Sequence, residues 1–189
     1  MASATASDAS RRRARSGRWP GRAFALALLL WSSTTRAADE VYLAPDRFVA
    51  EAFGGSPPAP QIVWLSGALR EDAQRILGHA PEALRLRYWR QGPRSAWILD
   101  EIGKDQPITA GIVVDDGRLE RLRVLIYRES RGWEIRHDFF TRQFDGAALT
   151  PGRELDRRID NISGATLSVQ AMQRLARLAL RLHAEVAGP

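Results

Sequence analysis

The spacing of apolar residues predicts two amphipathic helices. Residues 67–77 place their apolar side chains on one helical face, after the N-cap residue Ser66 and before Gly78, which is typical of a helix end. Residues 167–186 have an apolar stripe at helical spacing, formed by Ala171, Leu175, Leu178, Ala179, Leu182 and Val186. Three arginines mark the other side of this second helix, Arg174, Arg177 and Arg181. We expect this long helix to end the domain.

Between these helices the pattern changes to the alternation typical of strands. Residues 84–90 alternate apolar and basic side chains, and residues 96–102 form a second short strand candidate. Residues 108–114 and 119–127 flank the pair Asp116-Gly117, which accommodates the positive φ angles of a tight hairpin turn. At least four antiparallel strands are expected.

The order of these elements favours an α+β domain in which helices pack on an antiparallel sheet. The pattern of residues 136–144 predicts a short helix. Its phenylalanines Phe139, Phe140 and Phe144 are expected on one face, with their rings packed in the core. Residues 38–60 end in a Gly- and Pro-rich stretch and are interpreted as an N-terminal extension or linker. The domain itself is expected to span residues 61–189.

The N-terminal segment has the layout of a signal peptide. Arginines are frequent up to Arg22, and an apolar run of about nine residues then leads to a stretch of small residues. The run is much shorter than the ~20 residues of a membrane-spanning helix. We predict that residues 1–37 are a signal peptide cleaved after Ala37. A retained membrane anchor is the alternative.

The charge of the chain is concentrated in this segment. Residues 1–37 contain seven arginines and one acid, Asp8, and removing them lowers the net charge from +6 by six, to about zero. A neutral domain has no net attraction for phosphate backbones. Nucleic acid is therefore not expected as a partner.

The residue types present exclude several redox centres. The chain has no cysteine, so disulfides, thiolate catalysis, cysteine-bound iron–sulfur clusters and covalently attached c-type haem are excluded. The histidines His79, His137 and His183 are far apart in the sequence and form no metal-binding pair. No metal site and no catalytic triad or carboxylate pair is predicted.

A polar segment at the start of the C-terminal helix has the features of a phosphate site. It reads Asp-Asn-Ile-Ser-Gly-Ala-Thr over residues 160–166. Ser163 is expected to cap the helix, Gly164 allows close backbone approach, and Thr166 lies in the first turn. Free N–H groups and the helix dipole favour an anion there. The alternative is an ordinary capping segment, because small hydroxylated residues are common at helix starts.

This segment resembles the flavinylation motif of the FMN-binding domain family, which includes a flavin-carrying component of the sodium-translocating NADH:quinone reductase and its counterpart in the Rnf complex. The motif is Asp, any two residues, Ser or Thr, then Gly-Ala-Thr. Every specified position matches, namely Asp160, Ser163, Gly164, Ala165 and Thr166. In the family, a flavin transferase splits FAD and esterifies FMN through its phosphate to the threonine.

The resemblance implies roles for individual residues. Thr166 would carry FMN covalently, and the three residues before it would form the loop around the phosphate. Asp160 would assist the transferase reaction or accept hydrogen bonds within the loop. Glu129 and Gly132 are candidates to lie near the flavin, with an ordinary tight turn as the alternative.

The resulting expectation is an exported electron-transfer flavoprotein with covalent FMN. It would be matured by a flavin transferase and would exchange electrons with a membrane or periplasmic partner. The expected location is the periplasm, with or without attachment to the membrane. Two alternatives remain: a flavinylated redox-sensing module of a regulatory membrane complex, and a flavin-dependent periplasmic reductase.

Overall fold

The computed structural model describes residues 39–188, so the predicted signal peptide lies outside the described residues. The strands are β1 (Glu40–Val41), β2 (Gln61–Trp64), β3 (Arg85–Gln91), β4 (Arg94–Ile102), β5 (Pro107–Asp115) and β6 (Arg118–Tyr127). The helices are α1 (Pro45–Ala52), α2 (Gly67–Leu77), α3 (Asp138–Thr141) and α4 (Thr166–Ala187), with 3₁₀ turns at Trp133–Arg136 and Arg142–Phe144. Among residues 39–188, no helix combines the length and the apolar character that crossing a membrane requires.

The strands form one antiparallel sheet in the order β1-β6-β5-β4-β3-β2. The predicted α+β class with a long C-terminal helix is confirmed. All four predicted strands are present, each with ends within two residues of the prediction. The β5–β6 hairpin turns at Asp116 and Gly117, which both have positive φ as expected. Strand β5 is buried on both faces over residues 108–114, because helices cover both sides of the sheet.

Helices α2 and α4 pack on one face of the sheet and form the larger core. The apolar stripe predicted for α4 is in this core, with Val186 at its margin. The arginines on the flank of α4 bind carboxylates of other elements. Arg174 lies 2.9 Å from Glu101, and Arg181 lies 2.8 Å from Asp72. Both carboxylates are buried, so these ion pairs fix α4 relative to β4 and α2.

Helix α1 covers the opposite face of the sheet. Phe48 lies directly on Gly111 of β5, where an added Cβ would be 2.7 Å from the phenyl ring. Residues 38–60, which were expected to be an extension or linker, contain β1 and α1. Both elements are too short to produce a clear periodic pattern in the sequence, and so is β2.

The segment predicted as a helix over residues 136–144 is less regular than expected. It consists of the single turn α3 between two 3₁₀ turns. Phe140 and Phe144 are completely buried, as expected for core residues. Phe139 is 62% exposed, so the prediction that all three phenylalanines share a buried face was wrong.

A buried histidine connects the C-terminal half of α4 to the sheet. His183 Nδ1 lies 2.7 Å from Ser95 Oγ, and the backbone N–H of Gly117 donates to Nε2 at 3.3 Å. Since Nε2 accepts a hydrogen bond, the ring is neutral. Burial, followed by the positive charge of Arg90, lowers the pKa of His183 below its usual value of 6.5.

This arrangement predicts a loss of stability on acidification. Below about pH 6.5 the unfolded chain binds a proton at His183 that the folded chain does not, so the free energy of unfolding decreases as the pH falls. The decrease from this group is at most about 1.4 kcal/mol per pH unit. Urea unfolding at pH 7.5 and 5.5 should therefore show a smaller decrease for His183→Gln than for the parent. An equal decrease in both proteins would contradict a neutral buried His183.

Candidate functional site

A cleft of about 620 Å³ opens at the N-terminal end of α4. It lies between three segments, namely the β4–β5 turn, the turn that follows β6, and the start of α4. The residues that line it are Lys104, Glu129, Ser130, Arg131, Gly164, Ala165, Thr166, Leu167 and Ser168. Its volume is within the range of about 300–1,000 Å³ typical of small-molecule and cofactor sites.

Thr166 presents its hydroxyl group at the rim of this cleft. It is the first residue of α4 and is exposed. The side-chain amide of Asn161 donates to Thr166 Oγ1 at 2.8 Å. The N-cap residue is Ala165, and no side chain makes a capping hydrogen bond there, so the expectation that Ser163 caps α4 was wrong.

The surroundings of Thr166 are suited to an anion. The first N–H groups of an α-helix have no partner within the helix, and no side chain of residues 39–188 makes a capping hydrogen bond there. The helix dipole places partial positive charge at the same end. Lys104 and Arg131 also line the cleft. Lys104 Nζ lies 3.4 Å from the exposed Asp105 carboxylate, and within residues 39–188 Arg131 forms no ion pair.

Glu129 holds the β4–β5 turn against the turn after β6. Its Oε1 accepts backbone hydrogen bonds from Lys104, Asp105 and Gln106 at 2.6, 2.7 and 2.9 Å. Three converging N–H donors stabilise a carboxylate without a cation. Glu129 thus places Lys104 at the cleft.

Tyr127 and Gly132 fix the start of α4 against the turn after β6. The Tyr127 hydroxyl donates to the carbonyl oxygen of Arg131 and lies 3.2 Å from Ser168 Oγ. Burial raises the pKa of Tyr127, which keeps this donor protonated. Gly132 has a φ of +88°, and a Cβ added there would lie 2.9 Å from the Tyr127 hydroxyl and 3.2 Å from Ala165 Cβ. A side chain at this junction would be strained by the positive φ and would force the Tyr127 hydroxyl to shift.

The predicted site residues take different positions relative to the cleft. Those that line it are Glu129, Gly164, Ala165 and Thr166. Gly132 packs behind the lining, against the start of α4. Ser163 and Asp160 are exposed and outside the lining, and the Asp160 carboxylate lies 4.0 Å from Arg158.

Three residues of the site were not predicted from the sequence, namely Asn161 and the two cations of the cleft, Lys104 and Arg131. Asn161 occupies a motif position that accepts any residue, so the motif gives no reason to select it. The cations lie in two turns separated by β5 and β6. Their convergence depends on the hairpin register and on Glu129, and local sequence contains no signal for either.

Residues 103–181 match the family model of the FMN-binding domain. This part of the chain is therefore similar to the FMN-binding domain family. The matched region begins in the β4–β5 turn and ends within α4, so it includes every residue that lines the cleft. The family indicates a flavoprotein that binds FMN. No curated protein and no solved structure gives a significant match to the chain.

Removing the charge of Glu129 should loosen the β4–β5 turn, which forms one wall of the cleft. Glu129→Gln keeps the size of the side chain but replaces a charged acceptor of three hydrogen bonds. We expect a loss of about 2 kcal/mol in the free energy of unfolding. The amide protons of Lys104, Asp105 and Gln106 should exchange with solvent at least ~10-fold faster.

Asp105→Asn is the matched control, because the one ion-pair partner of this exposed carboxylate among the described residues is Lys104, in the same turn. It should change stability by less than about 0.5 kcal/mol. Unchanged amide exchange in Glu129→Gln would contradict the role assigned to Glu129.

Two glycines of the site allow backbone strain to be separated from crowding. Gly132 and Gly164 have similar φ angles of +88° and +83°, but an added Cβ meets no atom within 4 Å at Gly164. Gly132→Ala should therefore cost about 1–3 kcal/mol more stability than Gly164→Ala. Chemical denaturation of both variants tests this difference, and equal losses would show that the junction tolerates a side chain.

Proposed function

We propose that this protein is an exported electron-transfer flavoprotein that carries FMN through a phosphoester bond to Thr166. The observation that carries the proposal is the exposed Thr166 hydroxyl at the cleft of an FMN-binding domain. The surrounding sequence fulfils the whole flavinylation motif from Asp160 to Thr166. Export is proposed because residues 1–37 have the layout of a signal peptide.

The cleft fits the phosphate end of FMN. A phosphate on Thr166 Oγ1 would lie at the N-terminus of α4, where uncapped N–H groups and the helix dipole favour negative charge. Lys104 and Arg131 would add two positive charges near it. The Glu129 carboxylate accepts three backbone hydrogen bonds, whose N–H dipoles partly offset its repulsion of the phosphate.

The cleft also offers surface to the rest of the cofactor. Leu167 is 45% exposed and provides apolar contact area at the cleft. FMN would supply the redox chemistry by accepting and releasing one or two electrons, while the protein supplies location and electrostatics. The size of the cleft is sufficient for a cofactor of this kind.

The lining residues favour a carrier over an enzyme with its own substrate. They include no histidine, and the one carboxylate, Glu129, is engaged with the β4–β5 turn. In the described part of the chain, Ser95 and His183 form a serine–histidine contact, but both residues are buried away from the cleft. We therefore propose a protein partner at the membrane or in the periplasm as electron donor or acceptor.

Covalent attachment would be carried out by a flavin transferase that uses FAD. When the full chain is produced together with such a transferase, the intact mass should rise by FMN minus one water. Thr166→Ala should abolish the increase and the in-gel flavin fluorescence after denaturation, whereas Thr166→Ser should retain both.

Ser130→Ala is the control, because Ser130 is the other exposed hydroxyl residue of the cleft lining. It should be modified like the parent. Modification that persists in Thr166→Ala, or an unmodified parent beside a modified reference substrate of the transferase, would refute the attachment site.

A further inference from the structure

The Thr166 hydroxyl has one side-chain partner in the described part of the chain, Asn161. The Asn161 Nδ2 group donates to Thr166 Oγ1 at 2.8 Å. A hydroxyl oxygen has two lone pairs and one hydrogen. The amide donor therefore occupies one lone pair and leaves the second lone pair and the hydrogen free for reaction.

The loop that contains Asn161 is anchored on both sides. The backbone N–H of Asp160 donates to Gln143 Oε1 at 2.7 Å, and the N–H of Ala165 donates to the carbonyl oxygen of Ile162 at 2.9 Å. Ile159 is buried, and Ile162 packs against the larger core. Asn161 is thus held near Thr166 by the fold, although its own side chain is exposed.

We propose that Asn161 is a positioning residue for FMN attachment, which orients Thr166 Oγ1 and stabilises it as an acceptor of the phosphoryl group. This inference rests on the proposed function. The unspecified positions of the flavinylation motif include residue 161, so the role follows from the contact and not from the motif.

The transfer has a defined balance of bonds and protons. Thr166 Oγ1 forms a bond to the phosphorus on the FMN side of FAD, and the bond from that phosphorus to the bridging oxygen breaks. AMP leaves with the bridging oxygen, and the hydroxyl proton of Thr166 is released to AMP or solvent. No electron is transferred, and the co-reactant is FAD.

Asn161 contributes to this step in two ways. The hydrogen bond restricts Thr166 to one side-chain rotamer, which reduces the entropy lost on reaching the reactive geometry. As the proton leaves, negative charge grows on Oγ1, and the amide donor stabilises that charge. In the product, the ester oxygen remains an acceptor for the same donor.

The first test compares rates of attachment with purified apo protein, flavin transferase and FAD. Asn161→Leu removes the hydrogen bond, and Asn161→Asp keeps the shape but has no donor at pH 8. We expect kcat to fall about 10-fold in both variants, with the KM for the apo protein changed less than twofold, because one hydrogen bond to a developing charge is lost. As the pH is lowered to about 4, where a large fraction of the aspartic acid regains a proton, the rate ratio of Asn161→Asp to Asn161→Leu should rise.

Arg158→Gln is the matched control. Arg158 lies in the same loop, its side chain is 92% exposed, and its ion-pair partner is Asp160. Its kcat should equal that of the parent. A parent rate in Asn161→Leu overturns this inference and leaves the proposed function intact. An unmodified parent, beside a modified reference substrate, overturns the proposed function together with this inference.

The second test needs no flavin. Three-bond Hα–Hβ couplings of Thr166 in the apo protein should report one rotamer in the parent and in Arg158→Gln, and averaged rotamers in Asn161→Leu. Averaged couplings in the parent would show that Asn161 does not orient the hydroxyl in solution, and this would also overturn the inference.

Discussion

The packing of α4 across the sheet determines where Thr166 lies. Eleven residues of this helix are buried, including its central apolar stripe, and two buried carboxylates bind arginines on its flank. Sliding or rotating the helix would expose this apolar surface to water and separate the buried ion pairs. The helix therefore has little freedom to move. The first residue of α4 is thereby fixed relative to the ends of β4 and β6.

The walls of the cleft depend on a second set of contacts, made mainly by backbone groups. The β4–β5 turn is held by the carboxylate of Glu129, and the turn after β6 is held by Tyr127 and by the close approach at Gly132. These contacts leave the side chains of Lys104 and Arg131 available at the cleft. The site therefore combines a rigid helix start with two turns that are held by hydrogen bonds and packing. Such an arrangement positions a ligand with little reorganisation.

Strong local patterns made most of the fold predictable from the sequence. The apolar stripe of α4 and the apolar face of α2 each extend over several helical turns, and Asp116-Gly117 is a residue pair typical of a tight hairpin turn. The short elements α1, β1 and β2 exist because the sheet provides a surface for them, as the contact of Phe48 with Gly111 illustrates. Such contacts connect residues far apart in the chain and leave no periodic signal.

The same distinction, between residues adjacent in sequence and residues brought together by the fold, applies to the site. The motif from Asp160 to Thr166 could be recognised because its residues are adjacent in sequence, and it lies within the residues that match the FMN-binding domain model. The prediction that Ser163 caps α4 failed because the N-cap of the helix is Ala165, two residues beyond Ser163. Turn geometry determines that Lys104, Arg131 and Asn161 lie at the site, and sequence periodicity does not encode that geometry.

The open form of the cleft gives a physical reason for the proposed covalent bond. Thr166 and several neighbouring residues are exposed, so a ligand held there by the helix dipole, two cations and limited apolar surface would exchange with solvent. A bond to Thr166 makes binding of the ring intramolecular, with an effective concentration that for short tethers is on the order of millimolar. Weak contacts are then sufficient to keep the ring at the cleft. Under the proposed function, the protein would thus retain its cofactor at high dilution while the flavin stays accessible to a redox partner.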